Sequence, residues 1–184
     1  IILDVKYGSG AFMKTKEDAE KLAKELVMIG NNVGRVTKAA ISNMEQPLGN
    51  AIGNVLEVQE SIDTLKGGGP EDLKGLCIDL AAELLVMSEK FTSKEEAKVQ
   101  IEAKIQSGEV YNKFIEFITE QGAIENAVDK MAKAKNIIDI KATKSGYIAK
   151  LDAVTIGKAA MYLGAGRVKK TDLIDYSVGV ILNG

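Results

Sequence analysis

The sequence predicts a mixed α/β protein: a parallel or mixed sheet flanked by helices, followed by the start of a smaller α+β region. Three observations carry this. The apolar runs IILDV (1–5) and RVTKAAI (35–41) bracket one helical pattern, which reads as a βαβ unit with parallel strands. Helical apolar spacing then recurs in segment after segment to about residue 120. From about Asn136 the texture changes to short strand-like runs and one further helix. We therefore divide the chain into residues 1–136 and residues 137–184.

The elements follow in order. After IILDV comes the glycine loop of DVKYGSGAFMK (4–14). Thr15 is a good N-cap with Asp18 three residues on, and Leu22, Leu26, Ile29 and Val33 keep helical spacing, predicting a helix from Thr15 to about Gly30. RVTKAAI is the second strand. SNMEQPLGNAIGN (42–54) holds Pro47, Gly49 and Gly53 close together, so irregular backbone is expected. A helix then runs to about Lys66. Gly67-Gly68-Gly69-Pro70 breaks it, and Pro70 suits the first turn of the next helix. Ser93 and Glu96 form a capping box for another, and Tyr111, Phe114, Ile115 and Ile118 mark one more. NIIDIKAT and YIAKLD, joined at Lys144-Ser145-Gly146, read as a hairpin. Asp152 caps a helix that stops at Gly164.

Composition narrows the function. The 184 residues are 46% hydrophobic with a net charge of −2. Aromatics are 5%, and Lys and Arg are spread along the chain, so no nucleic-acid footprint is visible. Cys77 is the single cysteine, which excludes an internal disulfide framework and argues against a Cys-based zinc site. No apolar run approaches the ~20 residues that span a bilayer. The expectation is a cytoplasmic protein without membrane or nucleic-acid partners. There is no histidine, so no imidazole base, triad or metal ligand is complete here. The chain opens directly on a buried-strand pattern without Met, and the expectation is a portion of a longer protein.

Four groups of residues are candidates. Gly8-Ser9-Gly10 follows a strand and precedes a helix, the place where phosphate is often held. It matches neither GxGxxG nor the P-loop, and the pattern favours a tight turn. Phe12 and Met13 follow at the carboxyl end of a strand, where open α/β sheets bind ligands, although ordinary core is the commoner fate of such residues. Glu57 and Glu60 share a helix face. Carbonyls of the irregular run Leu48 to Ala51 can join Glu60 as hard oxygen ligands for a cation, against the commoner solvated-carboxylate reading. Gly164-Ala165-Gly166-Arg167, with Lys169 and Lys170, closes a helix rather than opening one, and the negative dipole end disfavours an anion. The residues alone give no complete active site.

Four long runs then carry a resemblance. LDVKYGSGAFMK, ISNMEQPLGNAIGNVLEVQE, SGYIAKLDAVTIGKAAMYLGAGR and IDYSVGVIL resemble the pyrimidine nucleoside phosphorylases, thymidine phosphorylases included, in the family's order and across essentially the whole chain. SNMEQ departs slightly from the family's aspartate-containing version. The resemblance implies a nucleoside phosphorylase/phosphoribosyltransferase-like catalytic domain over 1–136 and the beginning of the C-terminal α+β domain over 137–184. It implies phosphate-dependent cleavage of uridine or thymidine to free base and (deoxy)ribose 1-phosphate. Phosphate is then a co-substrate, and the intact enzyme is a homodimer pairing through a helical domain outside this sequence. The family's phosphate loop, Lys-His-Ser-Thr-Gly-Gly, and its base contacts, an Arg and a Ser-x-x-x-Lys pair, have no match here and lie upstream in family order. No catalytic residue is therefore assigned in this chain, and the 184 residues alone are expected to be inactive. By resemblance Phe12 lines the base pocket, while Leu48, Ala51 and Glu60 supply part of a potassium site. A non-catalytic nucleoside- or partner-binding module is the alternative from a different class. A related phosphoribosyltransferase is a third reading, against which SGYIAKLDAVTIG and GAGR argue.

Overall fold

The computed structural model describes residues 1–183. The predicted βαβ unit forms. Strand β1 (Ile2–Tyr7) and strand β2 (Lys38–Asn43) pair in parallel, with register running from Ile2↔Lys38 to Tyr7↔Asn43. Helix α1 (Lys16–Asn32) makes the crossover. Side chains alternate across a strand. Leu3, Val5 and Tyr7, with Ala39 and Ile41, therefore face α1 and pack against Ala19, Leu22, Ala23 and Leu26. Asp4, Lys6 and Ser42 lie on the other face, on which helix α3 (Glu71–Met87) approaches β1.

Helix ends follow their caps. Thr15 accepts the Asp18 N–H as expected. The helix does not stop at Gly30, however. Gly30 sits inside α1 because a Cβ there would fall 2.2 Å from Thr37 Oγ1. The stop is Gly34, which takes φ +75°. Its turn uses residues up to buried Thr37, so the second strand begins at Lys38 rather than Arg35.

The run 42–54 is irregular except for a two-residue strand, β3 (Ala51–Ile52). Strand β3 pairs antiparallel with β4 (Val180–Ile181), so the C-terminal segment returns to the α/β region. Helix α2 (Asn54–Leu65) follows, then α3, α4 (Lys94–Gln106) and α5 (Glu109–Glu120). Pro70 is the N-cap of α3 rather than a residue of its first turn. Ser93 makes half of its capping box by accepting the Glu96 N–H, while the Glu96 carboxylate takes the Thr92 hydroxyl instead. Ile62 in α2 is fully buried, and Ile78 and Ala82 of α3 and Ala97 and Ile105 of α4 are buried as well.

The hairpin expected over Asn136–Asp152 does not form. Among the described residues no strand occurs between 136 and 152. Gly146 does not take the positive φ that a tight hairpin turn needs. Two strands without a third partner are also marginal in water. The apolar alternation is left in the open, with Ile140 95% and Tyr147 fully exposed. Asp152 does cap a helix, α6 (Ala153–Ala160), which continues as a π-helical turn (Met161–Ala165) with Gly164 at φ +110°. No helix among the described residues is long and apolar enough to cross a membrane.

Truncating the fully buried Ile62 to Ala is expected to destabilise the protein by about 3 kcal/mol through the cavity it leaves. Urea denaturation checks this, with Ile62→Val expected to cost about 1 kcal/mol.

Candidate functional site

Because β1 and β2 are parallel and in register, the chain leaves both at the same edge of the sheet. Loop 8–14 and loop 44–50 therefore lie side by side. Gly8 has φ +118°, and a Cβ on it would lie 2.8 Å from the Glu45 nitrogen; one on Gly10 would lie 2.9 Å from the Met44 oxygen. These glycines are there for close backbone approach.

The loop's amides decide its role. The Gly8 N–H donates to Met13 O at 3.0 Å, Gly10 N–H to Met44 O at 3.0 Å, and Ala11 N–H to Gly8 O at 3.1 Å. The Ser9 N–H donates to Glu45 Oε2 at 3.2 Å. Four consecutive donors are thus turned inward, and a carboxylate stands beside them. A phosphate cradle needs those amides directed outward at the anion. Gly8-Ser9-Gly10 is a tight turn, as its pattern favoured.

Phe12 stands out from this turn with 93% of its surface exposed, while its neighbour Ala11 is buried. Lys14 Nζ donates to Ser9 O at 3.0 Å and Ala11 O at 2.8 Å, closing the loop from behind. Sequence reasoning passed over Lys14 and Glu45. A lysine after a turn carries no pattern that marks it as a backbone clamp.

The second loop is organised by carboxylates. Gly49 N–H donates to Asp72 Oδ2 at 3.1 Å. Asn50 and Ala51 N–H both donate to Glu60 Oε1, at 2.9 and 3.0 Å. Glu60 Oε2 lies 2.2 Å from where a Cβ on Gly49 would sit, and Gly49 takes φ +72°. Glu60 and Ala51 are therefore brought into contact, and Leu48 lies one residue beyond the Gly49 approach. Glu57 is not part of this cluster. Its Oε1 accepts the Gly53 N–H at 3.0 Å at the start of α2. Among the described residues no three His, Cys, Asp or Glu side chains group as a metal site. Two loop carbonyls and one carboxylate are nonetheless a hard oxygen set, chemically suited to an alkali or alkaline-earth cation.

A polar network on the other sheet face was also missed. Lys6 Nζ meets Asp4 Oδ2 at 2.7 Å and donates to Ser42 Oγ at 3.1 Å, and Ser42 Oγ donates to Asp4 Oδ1 at 2.5 Å. The signal was the i, i+2 pair of opposite charges in DVK, which a strand places on one face.

Near the C-terminal segment, Asp152 accepts from the Thr155 hydroxyl and amide, which hold its carboxyl below the ordinary range. The Ala153 N–H donates to Glu45 O at 2.9 Å, tying α6 to the loop pair. Gly164 to Arg167 close the π-helical turn, with Gly164 O accepting from Asp175 N–H, as expected of a cap. A surface cleft of about 600 Å³ lies between α2, α5 and this turn, lined by Gly53, Glu57, Phe114 and Met161 among others. Phe12, Leu48, Ala51 and Glu60 do not line it.

Residues 1–111 match the family model described as "Glycosyl transferase family, a/b domain". The chain belongs to that family. Residues 147–184 match the "Pyrimidine nucleoside phosphorylase C-terminal domain", so the similarity runs to the phosphorylase branch. A pyrimidine-nucleoside phosphorylase of Staphylococcus epidermidis is 52% identical over 186 aligned residues, covering 100% of this chain and 43% of the relative. One from Staphylococcus aureus is 53% identical over the same share of each chain. This chain thus spans less than half the length of the curated relatives it matches.

Gly49→Ala is expected to push the Glu60 carboxylate off the loop. Hydrogen exchange checks it: the Asn50 and Ala51 amides should lose protection, while those of β1 keep theirs.

Proposed function

We propose that this chain is the central and C-terminal portion of a pyrimidine nucleoside phosphorylase. The observation that carries the reading is the identity of 52% to a pyrimidine-nucleoside phosphorylase, over an alignment that covers the whole of this chain. The C-terminal match also favours a phosphorylase over a phosphoribosyltransferase. The division at residue 137 belongs to this proposal. In its favour, the first family match ends at residue 111, the second begins at 147, and the helices pause between α5 and α6.

The reaction is phosphorolysis of a pyrimidine nucleoside. The bond between the sugar and the base nitrogen breaks through a cation-like sugar, phosphate bonds to the sugar carbon, and the base leaves with the bonding electrons. Free base and a pentose 1-phosphate result. By the resemblance, the groups that hold phosphate and the base's polar edge lie upstream of Ile1 in family order. This chain's residues supply position. Loop 8–14 presents Phe12 on a fixed turn, and a flat pyrimidine packs against such a ring. Leu48, Ala51 and Glu60 would hold a potassium ion, whose charge supplies electrostatic support near the phosphate loop. Two backbone carbonyls and one carboxylate are only part of a coordination shell, and the remaining ligands would come from outside these residues. Two copies pairing through the helical domain, and a cytoplasmic location, go with this reading.

Phosphorolysis of uridine and thymidine, followed by the ultraviolet change on base release, tests it. The full-length protein containing this sequence should turn over at least one of them, and the 184-residue chain should stay at background. Clear turnover by the 184-residue chain alone would overturn the placement of the catalytic groups. In the full-length protein, Phe12→Ala should raise the KM for nucleoside by roughly 3- to 10-fold, as loss of one aromatic contact predicts. Glu60→Gln should raise the potassium concentration for half-maximal activity by about tenfold, the effect of weakening one charged ligand. Superimposable potassium titrations would return Glu60 to a purely structural role.

A further inference from the structure

We propose that Lys14 and Glu45 are positioning residues that hold Phe12 at the nucleoside, an inference that rests on the phosphorylase reading above. Phe12 is 93% exposed, yet its loop is not loosely held. Lys14 Nζ bridges the carbonyls of Ser9 and Ala11, on either side of Gly10. Among the described residues Lys14 forms no ion pair with a carboxylate; it donates to these two backbone oxygens. Glu45 also grips the turn, accepting the Ser9 N–H with its carboxylate and the Ser9 hydroxyl with its backbone oxygen. The same backbone oxygen accepts the Ala153 N–H, so the grip is anchored on α6.

The two charged side chains thus clamp the peptide units on which Phe12 is mounted, while leaving the ring uncovered. An exposed ring on a mobile loop would have to be ordered when the nucleoside binds, which weakens binding. A ring on a clamped loop is ordered in advance. The clamp therefore acts on nucleoside affinity, and on phosphate only indirectly.

The test is a double-mutant cycle in the full-length protein between Lys14→Met and Phe12→Ala. Lys14→Met should raise the KM for nucleoside several-fold, with kcat and the KM for phosphate nearly unchanged. With Phe12 already truncated, Lys14→Met should add nothing further. Glu45→Ala should behave in the same way and serves if Lys14→Met folds poorly. Hydrogen exchange of the peptide spanning residues 8–13 should quicken in both variants. Independent, multiplicative effects of Lys14→Met and Phe12→Ala would overturn the positioning role. So would a rise in the phosphate KM, or unchanged exchange in the loop. A Phe12→Ala enzyme with wild-type KM would instead remove the ring from the pocket, a failure of the underlying reading visible without the clamp variants.

Discussion

Six residue pairs in parallel register, from Ile2↔Lys38 to Tyr7↔Asn43, make the chain leave both strands at one edge of the sheet. That pairing sets loops 8–14 and 44–50 side by side. Parallel strands need a crossover, and α1 supplies it while burying Leu3, Val5 and Tyr7 on one sheet face. Once that face is fixed, the alternation of the strand fixes the other. Asp4, Lys6 and Ser42 then have no choice but to neutralise one another beside α3. A slip of one residue would reverse both faces, burying Lys6 under α1 and exposing Val5.

The two loops at the sheet edge solve the same problem in opposite ways. Both have runs of backbone N–H groups that need acceptors, because unpaired donors are costly once water is excluded. Loop 8–14 satisfies most of its own with neighbouring carbonyls and takes one carboxylate, Glu45. Loop 48–51 relies on carboxylates delivered by helices, Asp72 from α3 and Glu60 from α2. In each case a glycine marks the close approach: Gly8 against Glu45, Gly49 against Glu60. The acids at this edge, Glu45 and Asp72 exposed and Glu60 half-buried, thus accept backbone N–H groups of the loops, whose dipoles stabilise their charge.

Much of this was legible from residue pattern. The βαβ unit followed from two apolar runs around one amphipathic helix. Thr15, Ser93 and Asp152 all cap as their side chains predicted. The failures have physical causes. Gly30 reads as a helix stop, because a sequence does not show that Thr37 packs onto it. Glu57 and Glu60 were grouped by spacing, whereas tertiary contacts send one to Gly53 and the other to Asn50 and Ala51. The pattern of 136–152 does alternate as a strand should. Alternation states which face wants burial, but a strand also needs an edge to pair with, and among the described residues that segment has none. Lys14 was invisible for a different reason: lysines are usually solvated, and its two acceptors are backbone atoms with no sequence signature.

The contrast between Phe12 and Ile140 shows how exposure should be weighed. Both are almost wholly in the open. Ile140 lies in a segment without regular structure, so its exposure follows from the absence of a strand partner. Phe12 is exposed although four consecutive amides, a lysine and a glutamate fix the loop that carries it. Full burial of a phenylalanine is worth about 1.5–3 kcal/mol, and this loop is built in a way that forgoes it. A turn whose donors and acceptors are so fully engaged has few ways to fold the ring back onto the core. The restraint on the backbone and the exposure of the ring are therefore one feature. Under the function proposed above, this is the arrangement that lets the Phe12 ring meet a flat apolar surface arriving from outside.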